Sequence, residues 1–170
     1  MDMEFVRALC AALIILVFAA SAVSKLRDLR GFAGSVPALV PVRPGLARPL
    51  AVGVVAAETA VPVLLAIPPT ARYGFALACV LLAAFTAAVA AALRGGRRAP
   101  CRCFGASGVP VGRRHLIRNG ALLVTAVLGA LAPQGFPPPA GLAVAGAAGL
   151  AGAVLVISLD DIVDLFARSH

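Results

Sequence analysis

The chain is short of charge. Only 13% of its 170 residues are Asp, Glu, Lys or Arg, against about 25% in an average soluble domain. A soluble fold must cover its surface with polar groups, and too few are present. Disorder needs low hydrophobicity, whereas 61% of these residues are hydrophobic and the mean hydropathy is +1.00. The chain has neither the Gly-X-Y period of collagen nor sustained heptads, so fibrous folds are excluded as well. Its apolar runs do not alternate as the strands of a membrane barrel must. The composition leaves one membrane domain over residues 1–170, an all-α bundle of four to five transmembrane helices. Lysine is also scarce, with a single Lys among fifteen basic residues. With so much Ala, Gly and Pro, this reads as GC-rich codon usage rather than Arg-specific chemistry.

A helix needs about 20 mostly apolar residues to cross a bilayer. Spans are expected at 5–23, 46–67, 73–93, 115–132 and 141–159. The fourth is the weakest, because Arg118 and Asn119 fall in its first turns. It spans if Arg118 snorkels toward the headgroups. Ala20-Ser21-Ala22 resembles a signal-peptide cleavage site, but Asp2 and Glu4 leave the N-terminal region without net positive charge. The first run is therefore read as a retained span.

Two connections are long. Residues 24–45 open with Leu26, Leu29 and Phe32 at three-residue spacing, an amphipathic turn suited to the membrane interface. Pro37, Pro41 and Pro44 are expected to break any helix there. The second connection is the cysteine-containing loop at 94–114. Five basic residues fall between Lys25 and Arg48, and seven between Arg94 and Arg118. Two spans separate these groups, so both lie on one face, which the positive-inside rule assigns to the cytoplasm. The expected location is the bacterial cytoplasmic membrane, with lipid as an obligate partner. The Arg cluster reads as a topology determinant or an anionic-lipid contact, and no nucleic-acid partner is expected.

Pro100-Cys101-Arg102-Cys103-Phe104-Gly105 carries the most chemistry. Two cysteines at i and i+2 sit among Arg94, Arg97, Arg98, Arg102, Arg113 and Arg114. Nearby positive charge favours thiolate, the reactive form. A disulfide across so short a ring is strained, and strained bridges tend to be redox-active. His115 and Asn119 lie four apart on the following helix and share a face, where His115 is a candidate proton carrier. Cys101 and Cys103 are the candidate catalytic residues. Arg102, His115, Arg118, Asn119 and Glu58 are candidates for support. The bland readings are a half-built metal site or incidental thiols. Zinc wants four ligands, which this set does not supply, so no metal is expected. Cys10 and Cys79 lie within spans and read as inert core thiols.

Glu58 is thirteenth in the 22-residue run 46–67, close to mid-membrane. An ionised carboxylate there is costly, so Glu58 is expected to face the bundle interior, protonated or paired. Pro62 has no N–H and leaves the Glu58 carbonyl without its helical donor. Two readings stand side by side. One is a proton relay or a contact with a small redox carrier such as a quinone. The other is an interhelical hydrogen bond that locks the bundle. The small residues of the last span, Ala145, Gly149 and Gly152 among them, permit close helix packing.

These residues resemble the MauE family of methylamine-utilisation membrane proteins, related to the wider DoxX-like helical bundles. The resemblance rests on Ser24-Lys25-Leu26-Arg27-Asp28 with Phe32, on Glu58 with Pro62, on Cys101-Arg102-Cys103-Phe104-Gly105, and on Arg118-Asn119. It extends roughly to Ala132. It implies a role in disulfide formation or maturation of an exported protein, in the namesake pathway the disulfide-rich small subunit of methylamine dehydrogenase. It also implies a thioredoxin-like partner, MauD. The leading expectation is thiol–disulfide exchange at Cys101 and Cys103. The alternatives are a non-catalytic assembly subunit that binds its partner through the basic loops, and a small-molecule carrier using Glu58. Disulfide formation belongs outside the cytoplasm, while the arginine count puts the cysteines inside. On the cytoplasmic face the pair would act as a source of reducing equivalents.

Overall fold

The structure is a computed structural model that describes residues 3–95, 112–135 and 137–167. Six α-helices make up most of it, and no strand occurs among the described residues. They are α1 (Met3–Arg27), α2 (Leu29–Leu39), α3 (Ala47–Ala66), α4 (Ala71–Arg94), α5 (Arg113–Leu131) and α6 (Pro139–Ala167). Four helical stretches are long and apolar enough to cross a membrane: Met3–Arg27, Ala47–Ala66, Pro68–Arg94 and Pro139–Leu159. The protein is an all-α integral membrane bundle. α5 is not among the four, because Arg113, Arg114, His115, Arg118 and Asn119 occupy its first two turns. It nonetheless packs along α4 and α1.

The breaks between helices follow from local chemistry. Asp28 leaves helical geometry at φ −135° and caps α2, its Oδ1 accepting from the Gly31 N–H at 2.9 Å. α3 ends at Ile67, extended ahead of Pro68 as a residue before proline prefers. Thr70 donates its hydroxyl to the Leu64 carbonyl at 2.8 Å, which satisfies one of the last orphan carbonyls of α3. The tight turn that results brings Gly74 against Leu65. A Cβ on Gly74 would lie 2.8 Å from Leu65 Cγ, so glycine is what lets α3 and α4 cross there.

Two expectations about the chain's path are corrected. α1 runs four residues beyond the expected span end at 23, so Lys25 belongs to the helix and not to the connection. Pro37 does not break the helix that contains it. It is ninth of the eleven residues of α2, close enough to the end that only one carbonyl loses its partner. The expected amphipathic turn is thereby divided between two helices. Leu26 is exposed at the end of α1, while Phe32 is buried on α2 against Ala51 and Val55 of α3.

α1 is the central helix, packed against α3, α5 and α6. The core gathers Cys10, Ile14, Val17 and Phe18 of α1 with Val61 of α3, Phe75 and Leu82 of α4, Leu122 of α5 and Ala153 of α6. Small residues set the close approach of α6. A Cβ on Gly149 would lie 2.6 Å from the Ala12 Cβ and 3.0 Å from the Leu13 backbone nitrogen. Arg7, near the start of α1, donates to the carbonyl of Ala132, just past α5, at 3.1 Å. The start of α1, the end of α3, the start of α4 and the end of α5 therefore share one end of the bundle. The end of α1, all of α2, the end of α4 and the start of α5 share the other.

Candidate functional site

The polar site lies at the α2 end and begins with an arithmetic problem. Glu58 projects from α3 into the bundle and is 1% exposed. A carboxylate so enclosed needs a cation. Lys25 of α1 supplies it. Its ammonium donates to Glu58 Oε1 at 2.8 Å and to Oε2 at 2.9 Å. Ser21, one turn earlier on α1, completes a triangle. Its Oγ accepts from Lys25 Nζ at 2.6 Å and donates to Glu58 Oε1 at 3.2 Å. Ser21 and Lys25 reach the same point because residues four apart share a helix face.

Two aromatic rings enclose the ammonium. Its nitrogen is 5.3 Å from the Phe32 ring centre on α2 and 5.6 Å from that of Phe85 on α4, within cation–π range. Asp28 thus turns the chain, Phe32 covers Lys25, and Lys25 neutralises Glu58. Beside the pair is a cavity of about 20 Å³, lined by Ser21, Lys25, Glu58, Phe85, Asn119 and Leu122 among others. That is room for a single water molecule. A closed hydrogen-bonded set of carboxylate, ammonium and hydroxyl with space for one water can hold or pass on a proton. It cannot enclose a metabolite, which counts against Glu58 as the binding group of a small-molecule carrier.

The supporting residues expected on α5 divide into two places. Asn119 is buried and forms part of the wall of the cavity beside Glu58. His115 is buried at the start of the helix, and its Nδ1 accepts from the Gly112 N–H at 3.2 Å. That bond caps the first turn. Arg118 does not snorkel. It is 4% exposed and covered by the protein. Cys101, Arg102 and Cys103 lie outside the described residues. Cys10 is buried in the core and Cys79 is half-buried, and both are free thiols. Among the described residues, no three His, Cys, Asp or Glu side chains come together as a metal set.

Lys25 is the residue that sequence reasoning placed wrongly, as one of several basic residues in a connection. Two signals pointed to it. Ser21 and Lys25 stand four apart at the end of an apolar run, and a mid-span glutamate required a partner.

The family model described as methylamine utilisation protein MauE matches residues 3–132. The chain belongs to the MauE family. No curated protein and no solved structure matches it. The MauE match covers α1 to α5 and with them every described residue of the polar site, while α6 lies beyond it.

Proposed function

We propose that this MauE-family protein serves methylamine utilisation from the bacterial cytoplasmic membrane, maturing an exported partner by thiol–disulfide exchange at Cys101 and Cys103. The observation that carries the reading is the construction of the buried site. Two of its walls, Phe85 and Asn119, come from α4 and α5, the two helices that the cysteine segment joins. A proton-handling group is thereby built between the two helices that precede and follow the cysteine segment in the chain. Thiol exchange consumes and releases protons, and the Ser21–Lys25–Glu58 set is a buried group able to take them.

The exchange balances as follows. The thiolate of one cysteine attacks a disulfide of a thioredoxin-like partner, which forms a mixed disulfide and releases one partner thiolate. The second cysteine, as thiolate, displaces the other. The products are a Cys101–Cys103 disulfide and a partner dithiol, two electrons having passed to the partner. The reverse direction oxidises the partner instead. The arginines around the pair favour the attacking thiolate, and their number favours the cytoplasmic face.

The test is maturation of the client in cells carrying Cys101→Ser, Cys103→Ser or both. Each variant is expected to lose it. Full maturation with the double variant would end the reading and leave a non-catalytic assembly role. Labelling intact cells with a membrane-impermeant thiol reagent, before and after reduction, reports the face and redox state of the pair.

A further inference from the structure

The end of the bundle away from Lys25 and Arg118 holds another buried cation, with no described acid paired to it. Arg7 is 9% exposed. Its guanidinium turns inward, donating to the Ala132 carbonyl at 3.1 Å and lying 5.7 Å from the Phe75 ring centre. Both partners are uncharged. A guanidinium carries five N–H donors, and a carbonyl takes one. Glu4, one turn earlier, lies against Gly135 and makes no ion pair with Arg7. The carboxylate of Glu58, paired with Lys25, is at the far end of the bundle.

Arg7 also lines a cavity of about 550 Å³, within the roughly 300–1,000 Å³ range of small-molecule sites. The cavity lies between the end of α3 and the start of α6. Its walls are apolar, with Ala8, Ala11 and Ala12 of α1 facing Leu65 of α3 and Leu142 of α6. The alanines make the space, because between Arg7 and Ile15 they present only methyl groups to it. Gln134 adds an amide to the lining. The site therefore has a cationic head and an apolar body at one end of a membrane bundle.

We infer that this cavity binds an anionic phospholipid, its headgroup phosphate on Arg7 and one acyl chain along the alanine face of α1. The charge selects the class. A ligand with net negative charge neutralises the site, and a zwitterionic lipid leaves it positive. A redox role in exchange with the cysteines does not fit this position. Thiol exchange requires direct contact, and the cysteine segment joins helices at the other end. The inference is independent of the thiol reading.

The test uses the full chain purified in mild detergent. Native mass spectrometry and thermal unfolding are recorded with phosphatidylglycerol, phosphatidylcholine, palmitate or inorganic phosphate added. Phosphatidylglycerol alone is expected to be retained at one per chain and to raise the unfolding midpoint. Arg7→Gln, which removes the charge, is expected to lower the preference for phosphatidylglycerol over phosphatidylcholine about tenfold, the weight of one hydrogen bond to a charged group. Ala66→Trp keeps Arg7 and fills the cavity from an exposed position, and it is expected to abolish retention. Equal effects of phosphatidylcholine, palmitate or phosphate would overturn the inference. So would undiminished retention in Ala66→Trp, whatever the fate of Arg7→Gln.

Discussion

Lys25 and Glu58 stand 33 positions apart in the chain, yet both carboxylate oxygens of Glu58 lie within 2.9 Å of the Lys25 ammonium. Each side chain is 1% exposed. The pair joins α1 to α3 and fixes the site at the α2 end of the bundle.

Breaking a buried pair strands one charge, at a cost of about 3–5 kcal/mol. Lys25→Met and Glu58→Leu are each expected to cause such a loss, read as unfolding in detergent. The double change Lys25→Met with Glu58→Leu removes both charges and is expected to cost far less than the sum. Strict additivity across that cycle would mean that the two side chains do not interact.

Ser21→Ala takes one acceptor from the ammonium and one donor from Glu58. The expected cost is about 1.5–3 kcal/mol, the range for hydrogen bonds to charged groups. Ser21→Thr keeps the hydroxyl and is expected to retain most of that stability. If Ser21→Ala unfolds at the wild-type midpoint, the triangle does not hold in solution.

Gly149 and Gly146 give a matched pair on one helix. Added carbon at Gly149 meets Ala12 and the Leu13 backbone, while at Gly146 nothing lies within 4 Å. Gly149→Ala is expected to destabilise by about 1–3 kcal/mol, as overpacking does. Gly146→Ala should be close to neutral. Thermal unfolding of the two variants side by side checks the α1–α6 seam, and a reversed order would refute it.

Accessibility should separate the four cysteines. Cys10 is 3% exposed, in the same core cluster as Ile14 and Phe75. It is expected to resist alkylation until the protein is denatured. Cys10→Ser and Cys79→Ala are expected to leave client maturation intact. Loss of maturation in either would move the chemistry away from Cys101 and Cys103.

The apolar runs were legible because crossing a bilayer is a bulk demand that any twenty-residue window reports. What escaped was pairing at a distance. Lys25 looked like an interfacial base because local pattern carries no trace of a partner on α3. Arg118 looked like a snorkelling residue for the same reason, since local pattern does not report that the folded bundle buries it. Pro37 was read as a helix breaker, but position decides that effect. Two residues from the end of α2, it interrupts almost nothing. Glu58 was the informative exception. Its depth in the span alone demanded an inward direction and a partner, although not which one. The cysteine segment is legible only as chemistry, being outside the described residues.

α6 approaches α1 through bare backbone at Gly149 and takes no part in lining the cavity beside Glu58. A seam of this kind recognises only slenderness. A bulkier side chain at Gly149 or Gly152 would push α6 off α1 without touching the walls of the Glu58 cavity. The last helix is held by fit against α1, whereas the inner helices are bound by one lysine and one glutamate.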